Sequence, residues 1–124
     1  MAMKFQREAA SEFAITGYTA ESISVAGVEY RHSLCVSHQS PAAAWSVTSF
    51  AEITAAAVVD GTKVKAEIVI LGTGKKLRFP PPEVLRPLID ARMGYEVMDT
   101  AAACRTYNVL LSEGRQVAAL LLVE

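Results

Sequence analysis

Cysteine is scarce. Only Cys35 and Cys104 occur in 124 residues, and they lie far apart. In a reducing compartment such a pair reads as free thiols, and no feature of the sequence demands a bridge between them. Long apolar runs are missing too. None approaches the ~20 residues that cross a bilayer, so the sequence offers no membrane-inserted helix. The first residues, MAMKFQREAASEF, lack the apolar segment of a secretory signal. Glu8 and Glu12 argue against a mitochondrial presequence, which is poor in acids. The expected location is therefore cytoplasmic. Neither sign of charge dominates: the formal net charge is −1. No broad field exists to draw in nucleic acid or anionic lipid. The one basic cluster, Lys75-Lys76 with Arg78, is short and reads as a solvated loop. Repeats, linkers and low-complexity segments are absent.

What is present is apolar. Hydrophobic residues make up 52% of the chain, which excludes intrinsic disorder. The length suits one domain over 1–124 that buries about two-thirds of its unfolded surface, with residues 1–11 as a loose end. Phe13 to Tyr18 reads as a short strand. Ser22–Val25 and Val28–Val36 flank Ala26-Gly27 and form a hairpin. Within the second run Val28, Tyr30, Leu34 and Val36 share one face. Trp45–Val47 is another short strand. Ser49-Phe50-Ala51-Glu52 matches a capping box opening a helix that Asp60-Gly61 ends.

Glu67–Leu71 is nearly all apolar, the mark of a strand covered on both faces. Pro81-Pro82 opens a helix carrying Val84, Leu85, Leu88 and Ile89. Pro87 sits uneasily inside it, and Gly94 suits its C-terminal cap. Tyr95–Met98 is a strand, and Asp99-Thr100 caps a helix bearing Ala103, Tyr107, Leu110 and Leu111. Gly114 closes that helix, and Gln116–Val123 is the last strand. The alternation predicts an α/β sheet with parallel pairs and helices on its faces.

A cleft follows from this order. If the strands ending at Leu71 and Met98 are parallel neighbours, the Gly72-Thr73-Gly74 loop and the Asp99-Thr100 helix start lie side by side. Ligands of open α/β sheets favour that place. The helix start offers free amides, and Arg105 could reach an anion there. The loop itself is not a standard phosphate loop. Gly74-Lys75 is followed by Lys76 where a Walker loop needs Ser or Thr. Leu77 stands where a dinucleotide fingerprint needs a third glycine, and prolines prevent a helix from starting there. The loop reads as a bend forming one wall of the cleft.

Other candidates are weaker. His32, Cys35 and His38 on one strand would put the two histidines about 20 Å apart, beyond one ion. Cys104 near a helix start has either a lowered pKa or, more ordinarily, a buried and inert thiol. Glu96 in an apolar strand calls for a partner, with Arg105 or Arg115 in range. Ser49 and Ser112 lack a nucleophile elbow. No cofactor motif and no complete catalytic constellation is present.

The segment Gly94-Tyr95-Glu96-Val97-Met98-Asp99-Thr100-Ala101-Ala102-Ala103-Cys104-Arg105-Thr106-Tyr107-Asn108, with Glu113-Gly114-Arg115 after it, resembles the family called domain of unknown function 498. Leu71-Gly72-Thr73-Gly74 and Phe79-Pro80 match that family's other block. Gly27 and Trp45 also fall in place. The resemblance implies a three-layer α/β fold around a mixed five-stranded sheet with one strand antiparallel, for which the last strand is the natural candidate. It implies no assigned activity. A mitochondrial relative serves as an assembly factor for respiratory complex I, and the missing presequence fits a bacterial member.

The expectation is a non-enzymatic binding or assembly protein. Its cleft and a nearby surface would hold a protein partner or a small ligand, the cleft through Gly72, Thr73, Gly74, Phe79, Pro80, Met98, Asp99, Thr100, Arg105, Thr106 and Asn108. The alternative is an enzyme or carrier for a small anionic ligand bound between the Gly72–Gly74 loop and the Asp99–Arg105 helix start. Neither nucleic acid nor metal is expected, and oligomeric state stays open.

Overall fold

Two apolar runs set the architecture. In β6 (Ile68–Gly72), Val69 and Leu71 enter one core while Ile70 enters another. In β8 (Val117–Leu121), Ala118 and Leu120 go one way, and Val117, Ala119 and Leu121 the other. A strand with apolar side chains on both faces needs cover on both, and this chain supplies it. The computed structural model describes residues 12–124. The segment 1–11, expected to be a loose end, lies outside them.

The remaining strands are β1 (Ile15–Tyr18), β2 (Ile23–Val25), β3 (Val28–Tyr30), β4 (Leu34–Ser37), β5 (Ala43–Ala44) and β7 (Gly94–Met98). The helices are α1 (Ala55–Gly61), α2 (Pro82–Asp90) and α3 (Thr100–Ser112). Strands β1-β2-β3 make a small antiparallel sheet. The main sheet has the order β5-β4-β8-β6-β7. One of its faces packs on α1, α2 and Trp45. The other packs on α3 and the small sheet, giving three layers.

The last strand is not the antiparallel one. β8 pairs parallel with β6, and β4 runs antiparallel to β8. The chain leaves β7 through α3, crosses over β6 and enters the sheet in the same direction, as helical crossovers do. The run Val28–Val36 is two strands rather than one. It leaves the small sheet after Tyr30, and Ser33 anchors the switch. The Ser33 hydroxyl accepts from the Val123 amide at 2.9 Å, and the Ser33 carbonyl accepts from the Trp45 amide at 2.9 Å. Trp45–Val47 is not a strand; the pairing residues are Ala43 and Ala44. Trp45 instead turns inward and donates its indole N–H to Ala57 O at 2.9 Å.

Helix ends differ in detail. Ser49 makes no side-chain cap, and Phe50–Glu52 is a single 3-10 turn. Glu52 is drawn away to the Thr48 amide and hydroxyl, at 2.7 and 2.9 Å. Thr54 caps α1 in its place, accepting from the Ala57 amide. α2 begins at Pro82 and keeps Pro87 inside, losing the amide that would reach Glu83 O, because Val84, Leu85 and Leu88 still bury. Its end is closed by Arg92 at φ 61°, not by Gly94, which opens β7. Met93 N bonds Leu88 O at 2.9 Å and Arg92 N bonds Ile89 O at 3.0 Å, a Schellman pattern. α3 ends as its sequence indicates, on Gly114.

Candidate binding cleft and the glycine loop

β6 and β7 run parallel, with Gly72 opposite Met98, so their carboxyl ends do meet. The two expected walls stand side by side, and they are bonded to each other. Gly74 N donates to Thr100 Oγ1 at 2.8 Å, and Thr100 N donates to Gly74 O at 2.9 Å. Thr100 Oγ1 then donates to Leu122 O at 2.7 Å. Gly72 allows this approach: a Cβ there would lie 3.0 Å from Thr100 Cα and 3.1 Å from Ala103 Cβ.

Thr73 is fully buried and organises the loop. Its amide bonds Met98 O at 2.9 Å, its hydroxyl donates to Lys76 O at 2.6 Å, and the Arg78 amide donates to that hydroxyl at 3.2 Å. Asp99 caps α3, accepting from the Ala102 amide at 2.8 Å. The cavity left beside these contacts measures about 80 Å³. Gly74, Asp99 and Thr100 line it, joined by Tyr18, Lys75 and Glu124.

The other expected residues do not line this cavity. Pro80 is buried, Met98 is partly buried in the core beneath α3, and Phe79 is 72% exposed. Arg105 donates to the Tyr18 hydroxyl at 2.7 Å, a bond that pushes its pKa further up. Asn108 donates to Ile15 O at 2.6 Å and accepts from the Ile15 amide at 2.9 Å. Tyr107 donates to Phe13 O at 2.7 Å. Arg105 and Asn108 thus fasten α3 to β1, and Tyr107 fastens it to the turn before β1. Thr106, half-buried, sits among them. A rise of ~1.5 Å per residue carries Asn108 about 12 Å along the helix from Thr100, out of reach of the cleft.

Arg78, expected as part of a solvated basic cluster, and Glu124, which no motif marked, are bonded into the loop. Lys75 N donates to Glu124 Oε1 at 3.0 Å, and Arg78 Nη2 reaches Glu124 Oε1 and Oε2, both at 3.2 Å. The Lys75 amide first, then Arg78, hold the Glu124 carboxyl below its ordinary value against the opposing effect of burial. Arg78 stands four residues from Gly74, so its place was readable. Glu124 joins the loop only through the fold.

Other candidates resolve simply. Glu96 is exposed on the edge strand β7, and Arg115 pairs with Glu67 at 3.2 Å instead. Cys104 is buried and free, its thiol pushed up to about 12 by desolvation. Cys35 belongs to the core on the opposite face of the sheet, so the two cannot bridge. His32 Nδ1 lies 2.9 Å from Ser33 O, and His38 Nδ1 lies 3.3 Å from Val117 O. No group of three metal-ligating side chains occurs among the described residues.

Residues 15–122 match the family model described as "Protein of unknown function (DUF498/DUF598)". The chain belongs to this family. A crystal structure of a Bordetella parapertussis protein superposes with a TM-score of 0.85 at 37% identity, covering 90% of this chain and 95% of that one. The "13 kDa major membrane protein" of Francisella tularensis is 36% identical over 56 residues, 45% of this chain and 46% of that protein. The bovine "NADH dehydrogenase (ubiquinone) 1 alpha subcomplex assembly factor 3" is 36% identical over 80 residues, 63% of this chain and 44% of that protein. The aligned region thus spans less than half the length of either curated relative. Among the described residues no helix is long and apolar enough to cross a membrane.

Proposed function

We propose that this chain is a non-enzymatic binding or assembly protein that holds a protein partner on the loop after β6. The observation that carries this reading is the exposure of Phe79, at 72%, with Leu77 beside it at 50%. These side chains stand on a loop cross-linked by hydrogen bonds of Thr73 to Lys76 and Arg78. Adjacent large apolar groups displayed on a fixed loop mark a protein contact more than a solvated turn. The neighbouring cavity, about 80 Å³, falls well short of the ~300–1,000 Å³ of pockets for drug-sized ligands. The bovine relative's name, an assembly factor, supports the same reading. Two buried free thiols fit a reducing cytoplasm, which we take as the place of action.

Affinity capture from the native host tests this. Wild type and Arg105→Ala should retain one stoichiometric partner, and the double variant Leu77→Ser/Phe79→Ser should lose it. Capture of no partner, or equal retention by the double variant, overturns the reading.

A further inference from the structure

The glycine loop does hold an anion, and that anion is the chain's own. Glu124 presents a carboxylate to the Lys75 amide and to the Arg78 guanidinium, with three contacts between 3.0 and 3.2 Å. The donors are held by other contacts as well. Arg78 bonds Thr73 through its amide, reaches Thr73 O from Nη2 at 3.4 Å, and lies 4.8 Å above the Phe50 ring. Gly74 takes φ 96°, and a Cβ at that position would collide with the Glu124 side chain. The missing side chain is therefore the space that the carboxylate fills. Lys75 and Lys76 are exposed on the same turn. Arg78 alone pairs with the carboxylate through its side chain, and with two lysines beside it the turn stays positive when Glu124 leaves.

We propose that the Gly74-Lys75 turn with Arg78 is a binding site for a small oxyanion of carboxylate or phosphate type, kept closed by Glu124 as a built-in ligand. An outward amide and a guanidinium fork are the donors both species use. Glu124 is tethered close by: its neighbour Val123 is fixed to Ser33 at 2.9 Å. Tethering gives it a high effective concentration, so a free anion competes poorly in the intact protein. Glu124 also walls the adjacent cavity of about 80 Å³, so its departure joins the cradle to that space. This site borders the cleft between the Gly72–Gly74 loop and the Asp99–Arg105 helix start, where the sequence placed an anion, and its cation is Arg78 rather than Arg105. It does not depend on the Leu77/Phe79 contact.

Amide NMR titrations at constant ionic strength test it, with inorganic phosphate in one arm and acetate in the other. The reporters are the Gly74 and Lys75 amides. Glu124→Ala and Glu124→Gln should show saturable shifts with at least tenfold tighter binding than wild type. Adding Arg78→Gln to either should abolish them. The arm with the tighter binding names the anion class. Glu124→Gln keeps the side-chain volume and carries the test should the alanine variant not fold. The proposal fails if neither charge-removed variant saturates in either arm. It also fails if wild type binds as tightly as they do, or if the shifts survive loss of Arg78.

Discussion

Thr100→Val removes one hydroxyl and keeps the shape of the side chain. That hydroxyl accepts from the Gly74 amide at 2.8 Å and donates to Leu122 O at 2.7 Å. It is the single atom that joins the glycine loop, α3 and the chain leaving β8. Valine forms neither bond. At about 0.5–1.5 kcal/mol net per hydrogen bond, the loss comes to about 1–3 kcal/mol. An unfolding entropy near 2.1 cal/mol/K per residue gives about 0.26 kcal/mol/K for 124 residues. The midpoint temperature should therefore fall by roughly 4–12 °C. Thr100→Ser is the control. It keeps both bonds and loses only a methyl group, worth at most about 0.8 kcal/mol. Urea unfolding of the three proteins gives the free energies, and amide exchange at Gly74 gives the local effect. The valine variant should exchange Gly74 faster, and the serine variant should not. A valine variant within about 0.5 kcal/mol of wild type would refute the reasoning, because the hydroxyl would then contribute no more than a surface group.

Two further outcomes follow from the same contacts. Asn108→Ala removes both bonds to Ile15, at 2.6 and 2.9 Å, and should destabilise by about 1–3 kcal/mol. Limited proteolysis should then cut first near β1, and an unchanged cleavage pattern would count against the fastening role. Glu52, Glu67 and Glu124 all have folded pKa values below the ordinary carboxylate, owing first to backbone amides of Thr48, Gln116 and Lys75. Their stabilisation is complete above the unfolded value, about 4.3, and is lost as pH falls through the folded values. The urea midpoint should drop steadily below about pH 4, and a midpoint that rises on acidification would contradict the assignment.

Features set by neighbours in sequence were legible. Asp99 announces its cap because its acceptor serves an amide three residues on. Gly114 announces its stop because the left-handed turn is local. The apolar runs around Ile70 and Ala119 announce burial on both faces. Features set by distant residues were not. The run from Val28 to Val36 keeps one period, yet it splits between two sheets, and the cause is Ser33 binding Val123. The direction of β8 depends on the crossover above β6, which no residue within β8 encodes. Arg105 and Asn108 belong to a motif that pointed to the cleft, but their partners Tyr18 and Ile15 lie 87 and 93 residues away. Glu124 fills the loop from 46 and 49 residues beyond Arg78 and Lys75, with no local sign of it. The loop was read as one wall of a cleft, and the fold supplied the carboxylate that stands against it.

The position of β8 bears on how the chain is made. It is the last strand to be synthesised among the described residues, and it lies in the middle of the main sheet. β4 meets the sheet only through β8, pairing Leu34 with Leu121 and Ser37 with Ala118. Until Leu121 has emerged, β4-β5 and β6-β7 are separate fragments with open edges, and both cores lack their shared wall. Closure of such long loops is slow, and open edges invite wrong pairing in the interval. The nascent chain therefore gains little from folding early, and a ribosome stalled before Val117 would carry two sticky halves rather than a partly built domain.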